Sequence, residues 1–330
     1  MNFPCAHLRN VQLSARTTLR VGGIAEHLLE PADPEELAGA LRRVAELGLR
    51  ARLLGGGANL IIADGLIDGV VVSTERMRRT FRHVPREYRG DAGDEAPLDL
   101  FEEGLPRLHL PERGTEESPR LVAWAGSSMP GLVGVSKQLG WSGLEGLAGV
   151  PGSIGGGVAM NAGGSWGELW DVIEIVRVVG VDGELRDVPR SEAKPAYRDG
   201  GLGQAVVAAA VLKLQPSNKH EVGERVRGYL EHKRDVQPVT ERSAGCMFKN
   251  PDPERSAGRG AGQLIEDCGA KGMRVGGAEV SEKHANFVVN RGGAKASEVL
   301  ALIDRVVEQV AERSGIELER EVRVWGVDGG

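Results

Sequence analysis

Hydrophobic positions near the amino terminus predict a helix over "PADPEELAGALRRVAELGL". Its apolar residues recur at the three- and four-residue spacing of one helix face: Leu37, Leu41, Val44 and Leu47. Asp33 can cap this helix, Pro34 suits its first position, and Glu36 completes a capping box. Gly48 follows the last apolar position and ends the helix.

Short apolar runs separated by glycine turns predict β-strands further along the chain. "ARLLGGGANLIIADGLIDGVVVS" indicates a strand, a glycine turn and further short strands, with Val70 to Val72 as a buried strand. "LVAWAG" predicts a strand and "PGLVGVSKQLG" a helix. From Ile173 the pattern is rich in β-structure, with Asp182 and Gly183 as a hairpin turn.

The last third of the chain alternates between helix and strand patterns. After a linker-like "QPSNKH", we expect helices over 221–234, 261–268 and 297–313, and a strand at "ANFVVN". The final "IELEREVRVWG" alternates like a strand with one buried face. Its apolar face carries Ile316, Leu318, Val322 and Val324, and its polar face carries Glu317, Glu319, Glu321 and Arg323.

Residues 75 to about 120 have a different character. They are rich in charged residues, punctuated by proline and without clear periodicity. This composition is typical of a solvated insertion or a loosely ordered hairpin.

Composition and charge exclude several classes of function. A net charge of -6 argues against a nucleic-acid partner, and 4% aromatic residues weaken any stacking platform for single strands. Apolar runs are too short for a membrane span, and the amino terminus lacks the features of a signal peptide. The cysteines are widely separated, which disfavours a disulfide framework or a zinc site: Cys5, Cys246 and Cys268. We expect a cytoplasmic protein without a bound metal.

Two glycine clusters indicate a large ligand that carries phosphate. "GGGANL" at 55–60 follows a predicted strand, and a denser cluster spans 143–164. An isolated glycine triplet is more often a plain turn, but two such clusters could present backbone N–H groups to an anion. Neither cluster matches the Rossmann or P-loop pattern, so those folds are disfavoured.

An ordered set of motifs along nearly the whole chain resembles the UDP-N-acetylenolpyruvoylglucosamine reductases, the MurB flavoenzyme family, in its shorter subtype. The motifs are "TTLRVGG" (17–23), "LLGGGANLIIADGLIDGVVV" (53–72), "GLEGLAGVPGSIGGGVAMNAGGSWGE" (143–168), "AYR" (196–198), "SAGCMFKNP" (243–251), "AGQLIEDCGAKGMRVGGAEVSEKHANFVVN" (261–290) and "IELEREVRVWG" (316–326). The glycine loops alone would imply only the wider superfamily of FAD-binding oxidases.

The resemblance implies an α+β fold with two FAD-binding subdomains and a third, α/β substrate-binding domain. Subdomain 1 would comprise 1–73 with 314–330, subdomain 2 would comprise 74–216 with the charged insertion, and the third domain 217–313. A monomer is the expected oligomeric state. The implied cofactor is non-covalent FAD, with NADPH as co-substrate.

The implied reaction is the reduction of UDP-N-acetylglucosamine enolpyruvate to UDP-N-acetylmuramate in peptidoglycan precursor synthesis. NADPH would reduce the flavin, and a hydride would then reach the β-carbon of the enol ether while a proton reaches the neighbouring carbon. By resemblance, the FAD-binding residues are Arg20, Gly22, Gly55, Gly56, Gly57, Ala58, Asn59, Leu60, Gly126, Gly146, Val150, Pro151, Gly152, Ser153, Gly155, Gly156, Asn161, Ala162 and Gly163.

The resemblance also implies the catalytic residues. The arginine of the family falls on Arg198, whose guanidinium suits a carboxylate or an enolate oxygen. The glutamate falls on Glu321, which would orient the enolate or relay a proton. The strand pattern by itself leaves Glu317, Glu319 and Glu321 equivalent.

Cys246 stands where members of the family usually carry the serine that donates the proton. A thiol, with a reference pKa of about 8.5, is a stronger acid than a serine hydroxyl and remains mostly protonated near neutral pH. We therefore predict that Cys246 is the proton donor. The alternative is an inert Cys246, with a water molecule or Ser243 as the donor.

Substrate contacts are predicted at Tyr197, Lys233, Lys249 and Asn250. A charged run such as "EHKRD" is more often a solvated helix face, and His284 is interpreted as a core histidine without a catalytic part. The competing hypotheses are an FAD-linked oxidase of the same superfamily and an inactive nucleotide-binding homologue.

Overall fold

A computed structural model of the chain describes residues 1–82 and 119–326, which form two compact units. The first unit comprises 1–7, 29–55, 72–82 and 119–231. The second unit comprises 8–28, 56–71 and 232–326. The division into two FAD-binding subdomains and a substrate domain remains a prediction.

The α-helices are, in chain order, α1 Pro34–Glu46, α2 Met129–Leu139, α3 Ile154–Ala159, α4 Lys219–Val236, α5 Pro253–Ser256, α6 Ala261–Asp267 and α7 Ala296–Ser314. The strands are β1 Ala6–Gln12, β2 Ile24–Glu30, β3 Ala51–Leu54, β4 Leu60–Ile62, β5 Leu66–Ser73, β6 Thr80–Arg82, β7 Arg120–Trp124, β8 Trp141–Ser142, β9 Gly163–Gly164, β10 Gly167–Glu168, β11 Ile173–Val179, β12 Leu185–Pro189, β13 Val206–Lys213, β14 Gln215–Pro216, β15 Ser243–Cys246, β16 Arg274–Val275, β17 Ala278–Val280, β18 Phe287–Asn290 and β19 Arg323–Trp325.

An antiparallel sheet of order β12-β11-β13-β7-β6 organises the first unit. Its central strand β13 is buried on both faces, which explains the continuous apolar run in its sequence. Ala210 and Leu212 pack into the larger core with α2, α3 and α4, whereas Ala209 and Val211 pack against Phe81 on the opposite face.

Helix α1 begins as its sequence predicts. The carboxylate of Asp33 accepts a hydrogen bond from the Glu36 N–H at 2.7 Å, and Pro34 occupies the first turn. The Glu36 side chain accepts from the Ala32 N–H at 2.8 Å, one residue before the position expected for a capping box. Both side chains therefore occupy backbone donors at the start of the helix.

Replacing Asp33 with alanine should lower the free energy of unfolding by about 1 kcal/mol, because the Glu36 N–H loses its acceptor at the helix start. Urea denaturation followed by circular dichroism measures this change. Asp33→Asn, which keeps an acceptor oxygen, is the matched control, and its free energy of unfolding should fall by less than that of Asp33→Ala. Equal stability of the alanine variant and the wild type would contradict the capping role.

A sheet of order β15-β18-β17-β16 organises most of the second unit, with α6 and α7 packed in the same core. In addition, β19 pairs in parallel with β4, so that Arg323 lies opposite Leu60 and Trp325 opposite Ile62. Residues of the amino-terminal segment, Leu19 and Val21, belong to the core that β18 and α7 share.

Asp64 caps α7 from a distant part of the sequence. Its two carboxylate oxygens accept the N–H groups of Ala296 and Ser297 at 3.0 Å each. Partial burial opposes ionisation, but these hydrogen bonds and the nearby Lys295 together hold the pKa of Asp64 below its usual value. The charged form of this carboxylate therefore stabilises the start of the helix.

Two sequence predictions need correction at their boundaries. Thr80–Arg82, taken as part of the charged insertion, is strand β6 and pairs with β7, since Phe81 can be buried against the sheet. The rest of the predicted insertion, 83–118, lies outside the described residues. Gln215–Pro216, taken as part of a linker, forms a short strand with Trp141–Ser142.

The alternation predicted at the carboxy terminus is present in burial but only partly in secondary structure. Ile316, Leu318 and Val322 are buried, whereas regular pairing is limited to Arg323–Trp325. Across residues 1–82 and 119–326, no helix has the length and apolar character needed to cross a bilayer.

Candidate active site

Three glycine-containing segments of the first unit meet at one place. They are the end of β3 at Gly55, the turn after β7, and 152–156. The Gly155 N–H donates to the Ala125 carbonyl at 2.8 Å, and a Cβ added to Gly55 would lie 2.9 Å from Ser153 Oγ. The sequence-predicted glycine clusters are therefore neighbours in space.

Close backbone approach explains why one of these positions requires glycine. A Cβ on Gly126 would lie 1.9 Å from the Thr74 carbonyl oxygen, so any side chain there would displace the turn. By contrast, a Cβ on Gly156, which lies in α3, would meet nothing within 4 Å. The turn after β7 is thus tightly packed, whereas the neighbouring start of α3 leaves room for a ligand.

The remaining glycine-loop residues lie in the second unit. The Gly57 carbonyl accepts from both the N–H and the hydroxyl of Thr18, at 3.0 and 3.2 Å. Gly57 has φ of +60°, and a Cβ there would lie 2.2 Å from the Arg16 carbonyl oxygen. Arg20, also at positive φ, donates to the Ala15 carbonyl.

Cys246 lies at the end of β15, opposite Phe287 of β18. The pairing shifts register between Ser243 and Cys246, where Gly245 has φ of +79°. A Cβ on Gly245 would have the Ala58 carbonyl oxygen, at 3.8 Å, as its nearest neighbour. The half-buried Cys246 therefore follows a strand irregularity at Gly245 that lies close to the first glycine loop, residues 55–60.

Glu321 is brought to the same place by main-chain hydrogen bonds. Its N–H donates to the carbonyl of Met247, the residue after Cys246, at 2.8 Å. Its own carbonyl accepts from the side-chain amide of Asn59 at 3.3 Å. Asn59 in turn accepts from the Arg323 N–H at 3.2 Å. The second unit thus joins three sequence-predicted site residues: Asn59, Cys246 and Glu321.

Arg198 lies in the first unit, on a tight turn with φ of +59°. Its guanidinium lies 4.9 Å from the centre of the Tyr197 ring and donates to the Gly163 carbonyl at 3.5 Å. The Asn161 side chain donates to the Ala196 carbonyl at 3.2 Å. Four predicted residues of the first unit are therefore neighbours: Asn161, Gly163, Tyr197 and Arg198.

The predicted substrate residues of the second unit have defined partners. Lys249 pairs with Glu319 at 2.5 Å, and the Asn250 side-chain oxygen accepts the Ala261 N–H at 3.0 Å, at the start of α6. Burial lowers the pKa of Lys233 below the usual value of a lysine. His284, interpreted as a core residue, contacts Phe287 edge to face with ring centres 5.0 Å apart.

The other predicted FAD residues are divided between the two units. In the second unit, Gly56 lies in the first glycine loop, Leu60 is the first residue of β4, and Gly22 follows the Thr17–Val21 turn. Those of the first unit are Gly146, Val150, Pro151, Gly152 and Ala162.

Sequence comparisons identify the family. Residues 237–325 match the profile of the UDP-N-acetylenolpyruvoylglucosamine reductase C-terminal domain, and 113–189 match that of an FAD binding domain. A UDP-N-acetylenolpyruvoylglucosamine reductase of Moorella thermoacetica is 40% identical over 97% of this chain and 93% of its own length. The chain belongs to this family.

Further comparisons agree with membership of the UDP-N-acetylenolpyruvoylglucosamine reductase family. The reductase of Anaeromyxobacter dehalogenans is 39% identical over 97% of this chain and 86% of its own length. The crystal structure of the Thermus caldophilus reductase (MurB) superposes with a TM-score of 0.73 at 33% identity, covering 97% of this chain and 98% of that one. The predictions of an α+β flavoenzyme fold, of an oxidoreductase and of FAD as cofactor are confirmed.

The residues present fit FAD. The match to the FAD binding domain includes Gly126 and the cluster at 143–164, where the backbone is close-packed on one side and open at Gly156. Small side chains let backbone groups approach a pyrophosphate. Arg20 adds a cation beside the first glycine loop, because the Thr18 N–H, two residues earlier, donates a hydrogen bond to the Gly57 carbonyl. The donor set therefore suits an anionic dinucleotide.

Sequence reasoning missed Asn286. This buried side chain accepts the Phe248 N–H at 2.9 Å and donates to the Phe248 carbonyl at 2.8 Å. Its main-chain carbonyl accepts the Met247 N–H at 2.8 Å. An isolated polar residue within the apolar stretch "ANFVVN" is the sequence signal that could have marked it, because buried amides need partners.

Proposed function

We propose that this enzyme uses NADPH to reduce UDP-N-acetylglucosamine enolpyruvate to UDP-N-acetylmuramate, as a step in peptidoglycan precursor synthesis in the cytoplasm. The names of its full-length relatives and of the Thermus caldophilus structure support the substrate. The observation that carries the proposal is the adjacency of Cys246, Glu321 and Asn59 in the second unit.

The reaction requires a charge stabiliser and an acid. FAD, when bound, supplies the hydride that adds to the β-carbon of the enol ether. Negative charge then develops on the α-carbon and its carboxylate, which a guanidinium such as that of Arg198 can stabilise. The Cys246 thiol gives its proton to the α-carbon and is left as thiolate, which regains a proton from solvent before the next cycle. Glu321 orients the carboxylate end of the substrate.

The UDP part of the substrate is assigned to the remaining predicted residues. Lys249 and Asn250 lie three and four residues after Cys246, and their side chains already pair with Glu319 and with the start of α6. A lysine beside a carboxylate can exchange that partner for a phosphate oxygen, which has the same charge. Lys233 and Tyr197 are the further proposed contacts. The three-domain division and a monomeric state belong to the same proposal.

Rapid mixing of the purified protein tests the proposal. We expect FAD to be released on denaturation, its absorbance to be bleached by NADPH, and the absorbance to return when the UDP-enolpyruvyl sugar is added without oxygen. UDP-N-acetylglucosamine, which lacks the enolpyruvyl group, is the matched control and should not restore it. Reoxidation by oxygen alone would favour the flavin-oxidase hypothesis, and a protein that takes up no FAD would overturn the assignment.

A further inference from the structure

We propose that Asn286 is a positioning residue that holds the segment carrying Cys246 in register with the segment carrying Glu321. The catalytic part of this inference rests on the proposed function; the structural part does not. Asn286 contacts neither Cys246 nor Glu321 through the bonds of its side chain, which go to Phe248.

The ladder between β15 and β18 ends at the pair formed by Cys246 and Phe287. Beyond that pair, Asn286 takes over the role of a strand partner. Its main-chain carbonyl binds the Met247 N–H at 2.8 Å, and its side-chain amide binds both the N–H and the carbonyl of Phe248, at 2.9 and 2.8 Å. One residue therefore continues the hydrogen bonding of β18 along 247–248.

The opposite edge of the same segment is bound to 319–321. The Met247 carbonyl accepts the Glu321 N–H at 2.8 Å, and the Lys249 N–H donates to the Glu319 carbonyl at 2.9 Å. Phe248 itself forms a β-bridge with Arg320. Residues 247–249 are thus held between Asn286 on one side and the glutamate segment on the other.

Burial makes the Asn286 amide difficult to replace. Asn286 is 3% exposed and Phe248 is 2% exposed, so water cannot readily take over the Phe248 backbone groups. Hydrogen bonding to both the N–H and the carbonyl of Phe248 requires one acceptor and one donor in a planar arrangement. An amide supplies both, and a carboxylate does not. Alanine leaves both groups of Phe248 without their side-chain partner, and local opening of 246–249 becomes easier.

The test compares Asn286→Ala with Glu298→Ala in the FAD-loaded enzyme. Glu298 is a matched control, since its side chain also accepts two backbone N–H groups, those of Gly277 and Lys295, at 3.1 and 3.0 Å. The first readout is the rate at which iodoacetamide alkylates Cys246, measured by peptide mass spectrometry. Cys268, which is 4% exposed, serves as the internal reference within each protein.

We expect Asn286→Ala to raise the alkylation rate of Cys246 by about tenfold or more, because both side-chain hydrogen bonds to Phe248 are lost, with Cys268 unchanged. Reoxidation by the UDP-enolpyruvyl sugar should slow by a similar or larger factor, with reduction by NADPH near normal. Glu298→Ala should leave both Cys246 readouts at wild-type values. Equal behaviour of the two variants, or an unchanged Cys246 rate in Asn286→Ala, would overturn the proposal.

Asn286→Asp provides a second test that does not depend on tolerance of alanine. A carboxylate accepts from the Phe248 N–H but repels the Phe248 carbonyl, whereas the protonated acid can donate to it. The ratio of variant to wild-type alkylation should therefore fall toward one as the pH is lowered from about 8 to about 5. His284, whose Nδ1 accepts the Asn286 N–H, is the titratable group that faces this position in both proteins. A ratio of variant to wild-type alkylation that does not change with pH would contradict the role of the Asn286 side-chain N–H that donates to the Phe248 carbonyl.

The two readouts separate this inference from the proposed function. Alkylation of Cys246 reports the geometry of its segment whatever substrate the enzyme uses. If alkylation responds to Asn286 but no UDP-enolpyruvyl sugar reoxidises the wild-type enzyme, the proposed function fails and the positioning role stands.

Discussion

Replacing Cys246 with alanine should slow reoxidation of the reduced enzyme by the UDP-enolpyruvyl sugar by about 10²–10⁴-fold, the contribution typical of a general acid. Reduction of the enzyme by NADPH needs no proton from this side chain and should remain near the wild-type rate. Stopped-flow absorbance of the two half-reactions measures both. The expected split arises because Cys246 lies beside Glu321 and the first glycine loop, where the substrate carbanion would be protonated.

Two variants serve as controls for this prediction. Cys246→Ser retains a hydroxyl and should recover much of the lost rate. Cys268→Ala removes a thiol that is buried in the core and should affect stability more than either half-reaction. Unchanged reoxidation in Cys246→Ala would exclude the thiol as donor and would favour a water molecule or Ser243. An inactive serine variant would indicate that the site depends on sulfur itself.

Replacing Glu279 with alanine should lower the free energy of unfolding by about 1.5–3 kcal/mol, the range for hydrogen bonds to charged groups, because the arginine partners are 42% and 66% exposed and stay solvated. Glu279 is 1% exposed in the middle of β17. Its carboxylate accepts two hydrogen bonds from Arg291, at 2.6 and 2.9 Å, and also pairs with Arg274. Truncation leaves both guanidinium groups without this partner and opens space in the sheet.

Asp304→Ala is the matched control for Glu279→Ala. Asp304 also pairs with an arginine, Arg320, but its side chain is 55% exposed, so we expect a loss below about 1 kcal/mol. Urea denaturation followed by circular dichroism compares the two variants with the wild type. Equal losses of unfolding free energy in the two variants would show that burial of the Glu279 carboxylate contributes nothing further to stability.

The contribution of Glu279 should depend on pH in a defined direction. The hydrogen bond from Arg291 is the largest influence that holds the pKa of Glu279 below its usual 4.5, while burial opposes the shift. A carboxyl with a lowered folded-state pKa contributes stability that is fully present above its unfolded pKa. The stability difference between wild type and Glu279→Gln should therefore persist at neutral pH and shrink as the pH falls below about 4.5. A difference independent of pH would contradict the ionised state.

Local sequence patterns were sufficient for the elements whose stability is local. Helix α1 begins at Pro34, as its capping residues predict, and the last helix spans Ala296–Ser314 where periodicity placed 297–313. The glycine clusters predicted a ligand that carries phosphate, and the match of 113–189 to an FAD binding domain agrees. These signals are readable because helix caps, turn glycines and apolar periodicity depend on neighbours a few residues away.

The sequence motifs also determined the family and the unusual cysteine at position 246, since each motif is a contiguous stretch of residues. Strand alternation, however, left Glu317, Glu319 and Glu321 equivalent. Only the tertiary structure distinguishes them: Glu319 pairs with Lys249, whereas the main chain of Glu321 binds Met247 and Asn59. The catalytic part of Glu321 remains a prediction.

Only the tertiary structure revealed the contacts that join distant segments. The Asn286 amide serves Phe248, Asp64 caps a helix that begins at Ala296, and Glu279 is buried against Arg291. Each partner lies at least twelve residues away, and Asn286 and Glu279 make their contacts where the folded chain excludes water. Periodicity describes which face of an element is buried, but it carries no information about which polar groups become hydrogen-bond partners. That pairing is decided when the segments pack.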